Sequence, residues 1–248
     1  MNKLLKQSIL ALTATAGGVV TMLLRFWHLQ TRNTKDAKML LAQGHIAGIL
    51  ALCLTAAVLG LLLWYVLRLP RKASCEQPFP ASSPAAAGVA AGVWGVGNSA
   101  VTFLQGQADK LMLLTGFVGI IAALALALAG FLRMRSGKPN VLTHSAVTVY
   151  LMLLLICQYR MWSAQPQLEL YLYGLLATIS LTVATYHRAC FDGGMGSLRG
   201  YAFFRLAGIH LCLAAIPGSD FWVLYLASAI WCAGDLCPWT DSAEAEGR

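Results

Sequence analysis

Charge is what this sequence has least of. Only 11% of its 248 residues are Asp, Glu, Lys or Arg, against roughly 25% in soluble domains. The ten acids all fall at the ends of apolar runs, between them or in the C-terminal stretch. No carboxylate is set at mid-run, where proton- or sodium-coupled carriers commonly place one, so a carboxylate-coupled pump is disfavoured. The seven cysteines form no CxxC pair, which disfavours a disulfide framework or a zinc site. HExxH, GxSxG and GxxxxGK[ST] are absent, and with them the zinc-protease helix, the nucleophile elbow and the P-loop. No catalytic motif, cofactor site or metal site is expected.

What the chain does have is hydrocarbon. It is 58% hydrophobic with a mean hydropathy of +0.66. Its apolar runs approach the ~20 residues that a helix needs to cross a ~30 Å hydrocarbon layer. Eight runs stand out: Ser8 to Leu24, Leu41 to Leu67, Pro84 to Leu104, Leu111 to Leu132, His144 to Trp162, Leu168 to Tyr186, Tyr201 to Ile216 and Phe221 to Leu236. The fold class expected is an all-α polytopic membrane protein of about eight helices, seven if the last two short runs do not both cross. A first hairpin (1–67) precedes a Pro/Ser-rich linker (68–83); six further helices (84–237) and a disordered tail (238–248) follow. Lys3 and Lys6 ahead of an apolar stretch with "ATA" resemble a signal peptide, but the run continues to Leu24 and reads as a span.

The net charge of +8 punctuates the ends of the runs instead of gathering on one soluble segment, so it describes topology and not nucleic-acid binding. With the N-terminus inside, eleven basic residues collect on the cytoplasmic side and six on the other. That bias predicts both termini in the cytoplasm, with Trp64 and Tyr65 as inner anchors and Tyr159, Trp162, Trp222 and Tyr225 as outer ones.

Wound at ~100° per residue, four runs show stripes of small residues that let a neighbouring backbone come close. They are Ala14, Gly18 and Thr21 with Arg25; Gly44, Gly48, Ala51 and Thr55; Gly88, Gly92, Gly95 and Ser99; and Gly116, Gly119, Ala123, Ala127 and Gly130. Together they suggest a compact unit of the first four helices.

Two polar residues interrupt "YAFFRLAGIHLCLAAI". Arg205 lies about 7.5 Å in from the run's start, and either snorkels to the interface or belongs to a site. His210, about 15 Å in, is either hydrogen-bonded to a neighbouring helix or part of a relay. Some 140° apart on the wheel, they do not make one site by themselves. A candidate polar path joins Arg205, His210 and Asn98. A candidate outer mouth joins Arg25, His28, His45, Arg160 and Glu169, the last two also bracing a turn. Tyr186, His187, Arg188 and Asp192 are the one cluster from which an enzyme site could be built. "FDGGMGSLRG" misses GxGxxG spacing and follows no strand, so it reads as an inter-helix connection.

The segments "QYRMWSAQPQLELYLYGLLA", "YHRACFDGGMG" and "WCAGDLCPW" resemble a group of uncharacterised bacterial multi-spanning membrane proteins over roughly the last third of the chain. The resemblance implies a bacterial inner membrane and carries no activity. The function expected is a small-solute permease or transporter-like component, with a non-catalytic sensor or scaffold as the alternative. Its partners would be the lipid bilayer and a small solute or a partner membrane protein.

Overall fold

A computed structural model of the chain describes residues 3–30, 46–68, 83–106, 109–136, 141–162 and 171–236. Among them the apolar runs become eight helices with no strand: α1 (Lys3–Gln30), α2 (Ile46–Val66), α3 (Ser83–Gly106), α4 (Lys110–Ser136), α5 (Val141–Trp162), α6 (Leu172–Asp192), α7 (Leu198–Ala215) and α8 (Trp222–Gly234). Helices are the only open-ended element that satisfies its own backbone away from water, which is why apolar runs take this form. Five of them, α1 to α5, are long and apolar enough to cross a bilayer. At 13 residues, α8 is apolar but only about 20 Å long. Helices α6 and α7 turn Thr178, Thr182, Thr185, Arg205 and His210 into the protein, so their polarity does not meet lipid.

Each of α3 to α8 packs on the next, and α8 closes back onto α3, making a ring of six. Helices α1 and α2 pack on each other and on α7. The expected unit of the first four helices is therefore corrected: α1 and α2 take one set of neighbours, α3 and α4 another. A small-residue stripe announces that some backbone comes close without naming which one.

The stripes themselves are seams. A Cβ placed at Gly95 would stand 2.6 Å from Ala227 Cβ, one at Gly92 3.1 Å from the Trp231 ring, and one at Gly88 3.2 Å from Gly234 Cα. The α3 stripe thus fits α8. A Cβ at Gly18 would meet Leu213 at 3.0 Å and the His210 carbonyl at 3.1 Å, so the α1 stripe fits α7. In α4, Gly119 lies against Ala100 and Tyr150.

The glycine-rich segment after α6 is a helix stop. Gly194 takes φ +76, Met195 N–H donates to the Cys190 carbonyl at 2.9 Å and Gly194 N–H to that of Phe191 at 2.9 Å. This is the paired pattern of a Schellman motif, which requires a left-handed residue that glycine supplies without Cβ strain.

Away from these seams the surface is apolar. Leu23, Phe26, Trp94, Phe117, Leu124 and Ile156 are all exposed, far beyond the scattered patches of a soluble monomer. The protein is a multi-pass helical membrane protein, and these apolar faces suit contact with lipid. Tyr159 and Trp222 are exposed, but Tyr225 is fully buried; its expected role as an outer anchor is corrected, because α8 turns it into the ring.

Candidate functional site

The helices of the ring alternate in direction, so the end of α4, the start of α5, the end of α6, the start of α7 and the end of α8 meet at one end of the bundle, here the proximal end. Each brings a polar group. Arg205 Nη2 lies 2.7 Å from Asp235 Oδ2, and Arg133 Nη1 lies 3.0 Å from Asp235 Oδ1. One carboxylate thus ties α4 and α7 to the end of α8. Beside it His144 Nδ1 is 2.7 Å from Asp192 Oδ2, and Arg188 Nε is 3.5 Å from Asp192 Oδ1. Both carboxylates sit at helix C-termini, where the macrodipole disfavours negative charge; the guanidinium groups offset that.

The surroundings of Arg205 are closed. The side chain is 0% exposed, its Cζ stands 4.5 Å from the Trp231 ring centroid and 5.3 Å from that of Tyr201, and its Nη1 reaches Cys232 Sγ at 3.5 Å. Snorkelling is therefore ruled out for this residue. A buried carboxylate on the next helix is a nearer partner than the interface.

His210 goes elsewhere. Its Nε2 is 3.3 Å from Thr55 Oγ1 on α2, a hydroxyl on a neighbouring helix, while Arg205 faces α8. The wheel separation holds in three dimensions. Thr55 Oγ1 also lies 3.4 Å from Tyr173 Oη, and the Arg25 guanidinium stands 4.4 Å over the Tyr173 ring. Arg25 Nη1 donates to the Ala214 carbonyl, one of the last of α7, where a cation suits both the free carbonyls and the macrodipole.

Of the expected outer mouth, Arg25, His28 and Arg160 lie among the described residues. Arg25 and His28 are buried in helix seams, with His28 filling the space left by Gly48. Arg160, largely exposed, lies 3.1 Å from Asp109, a pair of the kind that contributes about 0–1 kcal/mol. His45 and Glu169 lie outside the described residues. Asn98 is exposed, so it leaves the expected polar path; the adjacent Ser99 points inward, with its Oγ 2.6 Å from Tyr150 Oη. The possible enzyme cluster also divides. Tyr186 is exposed, His187 packs on Phe204 and the space at Gly200, and Arg188 and Asp192 turn into the ring.

At the distal end a second network crosses the ring. Gln158 Nε2 donates to Tyr225 Oη at 2.9 Å, Thr178 Oγ1 donates to Gln158 Oε1 at 2.9 Å, and Tyr225 Oη donates to the Gly174 carbonyl at 3.1 Å. Gly174 allows this approach, since a Cβ there would stand 3.2 Å from Tyr225 Oη.

Sequence reasoning missed Arg133, His144, Trp231 and Asp235, and it set Asp235 aside as a span-end acid; Asp192 it placed only in the possible enzyme cluster. The available signal was the number of charged residues at one common end of five alternating runs. Among the described residues no group of three His, Cys, Asp or Glu side chains is arranged to hold a metal ion. Comparison of the chain with protein-family models, curated proteins and solved structures returned no match.

Arg25 yields a first prediction. Arg25→Met leaves the α7 carbonyl without its charged donor and should lower stability by about 2 kcal/mol, with Arg25→Lys recovering part. Denaturant unfolding in detergent measures both, and equal stability of all three chains would remove the capping role.

Proposed function

We propose that the six-helix ring is the working unit of a small-solute permease or transporter-like protein, seated in a bacterial inner membrane with both termini in the cytoplasm. The observation that carries the reading is the line of buried polar groups inside the ring. It runs from Gln158, Thr178 and Tyr225 at the distal end, past Ser99 and Tyr150, to Arg205 and Asp235 at the proximal end. Polar side chains inside a membrane bundle are costly and mark solute paths. Helices α1 and α2 brace α7 from outside through His210, Thr55 and Arg25.

A second reading, a non-catalytic sensor or scaffold, is favoured by the closure of the same interior. Arg205 and Cys212 are both 0% exposed, which suits groups that lock helices together.

Cys212 separates the two. A thiol reacts as thiolate, which needs water. In vesicles, a chain retaining only Cys212 is treated with a small water-soluble thiol reagent, beside a Cys190-only control and an uptake assay with charged and neutral small solutes. The permease reading expects solute uptake and labelling of Cys212 that rises when solute is present. No uptake with Cys212 inert and Cys190 labelled would leave the scaffold.

A further inference from the structure

Two outward side chains of α3 do not suit lipid. The part of α3 long and apolar enough to cross a bilayer is Ser83–Gln105, 23 residues, so Trp94 stands at its centre. Asn98, one turn further on, lies about 6 Å from the midplane and about 9 Å inside the edge of a ~30 Å hydrocarbon layer. Both residues are exposed, Trp94 at 68%. Water is absent at that depth, and an asparagine is too short to snorkel out as lysine and arginine do. Thr102 Oγ1 donates to the Asn98 backbone carbonyl at 3.0 Å, but among the described residues nothing meets the Asn98 side-chain amide or the Trp94 indole N–H. A tryptophan facing lipid belongs at the interface, where its N–H finds water or headgroups.

Wound at ~100° per residue, Ala87, Ala90, Trp94, Asn98, Val101 and Gln105 fall within about 80° of one another, and all are exposed. They form one face, turned away from the glycine seam that receives α8. Spacings of three and four residues are those of a helix–helix seam. Hydrocarbon offers no partner to an amide, so another helix is the occupant that satisfies this face. Copies of one chain inserted in the same direction meet about a two-fold axis along the membrane normal, which sets like residues together at equal depth. Asparagine suits that symmetry, because its amide both donates and accepts. A second copy thus supplies the missing donor and acceptor at the required depth by construction.

We propose that the protein pairs with a second copy of itself through the α3 face of Trp94 and Asn98. Each Asn98 Nδ2–H donates to the Oδ1 of the other copy, and the small Ala87 and Ala90 leave room for the other copy's Trp94. The pairing uses the outside of the six-helix ring, so it is independent of the transport reading and of the polar interior.

The test uses the full chain, labelled at its C-terminus with a donor or an acceptor fluorophore, in phosphatidylcholine vesicles. Energy transfer is followed as the protein is diluted with lipid, and a fall along a dimer dissociation curve is expected. Asn98→Leu should move the midpoint about 10-fold toward higher protein density. Asn98→Gln, which keeps an amide, should recover part of that loss. Thermal midpoints of both variants should match the parent, because neither side chain meets the rest of the fold. The face is identified by oxidative cross-linking at the distal end of the bundle, close to water, where a thiol ionises. Gln105→Cys should give a linked dimer beyond the parent's own yield, and Tyr159→Cys, 67% exposed on α5, should not. Transfer no greater than chance collision at every density would leave lipid on α3 and overturn the proposal. So would a dimer that Asn98→Leu leaves as tight as the parent, or one linked through Tyr159→Cys and not Gln105→Cys. If Asn98→Leu fails to fold, the cross-linking pair decides.

Discussion

Asp235→Ala should destabilise the folded protein by about 3–5 kcal/mol, the loss typical of removing one partner from a buried ion pair. Its size comes from what is left behind. Arg205 is 0% exposed and Arg133 only 11%, so two guanidinium groups lose their common acceptor where water does not replace it. A loss this large is a substantial part of the ~5–15 kcal/mol that holds a typical domain together. The pair itself need not be strongly favourable, since attraction and desolvation nearly offset each other for buried pairs. A double variant, Arg205→Leu with Asp235→Leu, removes the stranded charge on α7 and should recover more than half of the loss. Thermal unfolding of the three chains in detergent measures this. A double variant as unstable as Asp235→Ala would show that Arg133 or packing, and not the Arg205 charge, sets the cost.

The second large effect is steric. Gly95→Leu places a branched side chain where even a Cβ would lie 2.6 Å from Ala227 Cβ and 3.3 Å from Leu224 Cα. Backbone atoms cannot turn aside as a flexible side chain does, so α3 and α8 must separate. Overpacking a well-filled core costs about 1–3 kcal/mol for a few methylenes; here it also opens the contact that closes the ring. Gly60→Leu is the matched control, because nothing lies within 4 Å of a Cβ built there and a leucine on that lipid-facing side favours the helix. The expected result is a Gly95→Leu chain that elutes as aggregate or unfolds at markedly lower temperature, beside a Gly60→Leu chain at or above the parent. Equal behaviour would mean that the α3 and α8 seam is not close-packed.

The helices and their lipid-facing character follow from local composition. Apolar runs of this length have few other stable forms, and the small-residue stripe of α3 lies on one face whatever helix meets it. The angle between Arg205 and His210 is equally local, since ~100° per residue separates them before any neighbour arrives. Two other results depend on partners far away in sequence. That Gly88, Gly92 and Gly95 receive α8, and that Gly18 receives α7, is a choice among several apolar helices of similar shape. That Arg205 turns inward depends on Asp235, 30 positions later, whose own position at a helix end reads as an ordinary interfacial acid. Asn98 and Ser99 make the same point at one step of the helix: their order is local, but which of them faces the interior is set by where α4, α5 and α8 pack. The sequence by itself determined a helical membrane protein with close-packing faces, because hydrogen bonding and hydropathy act within each segment. Only the tertiary structure decided the ring, its polar interior and the shared carboxylate, because those depend on which distant faces and charges satisfy one another.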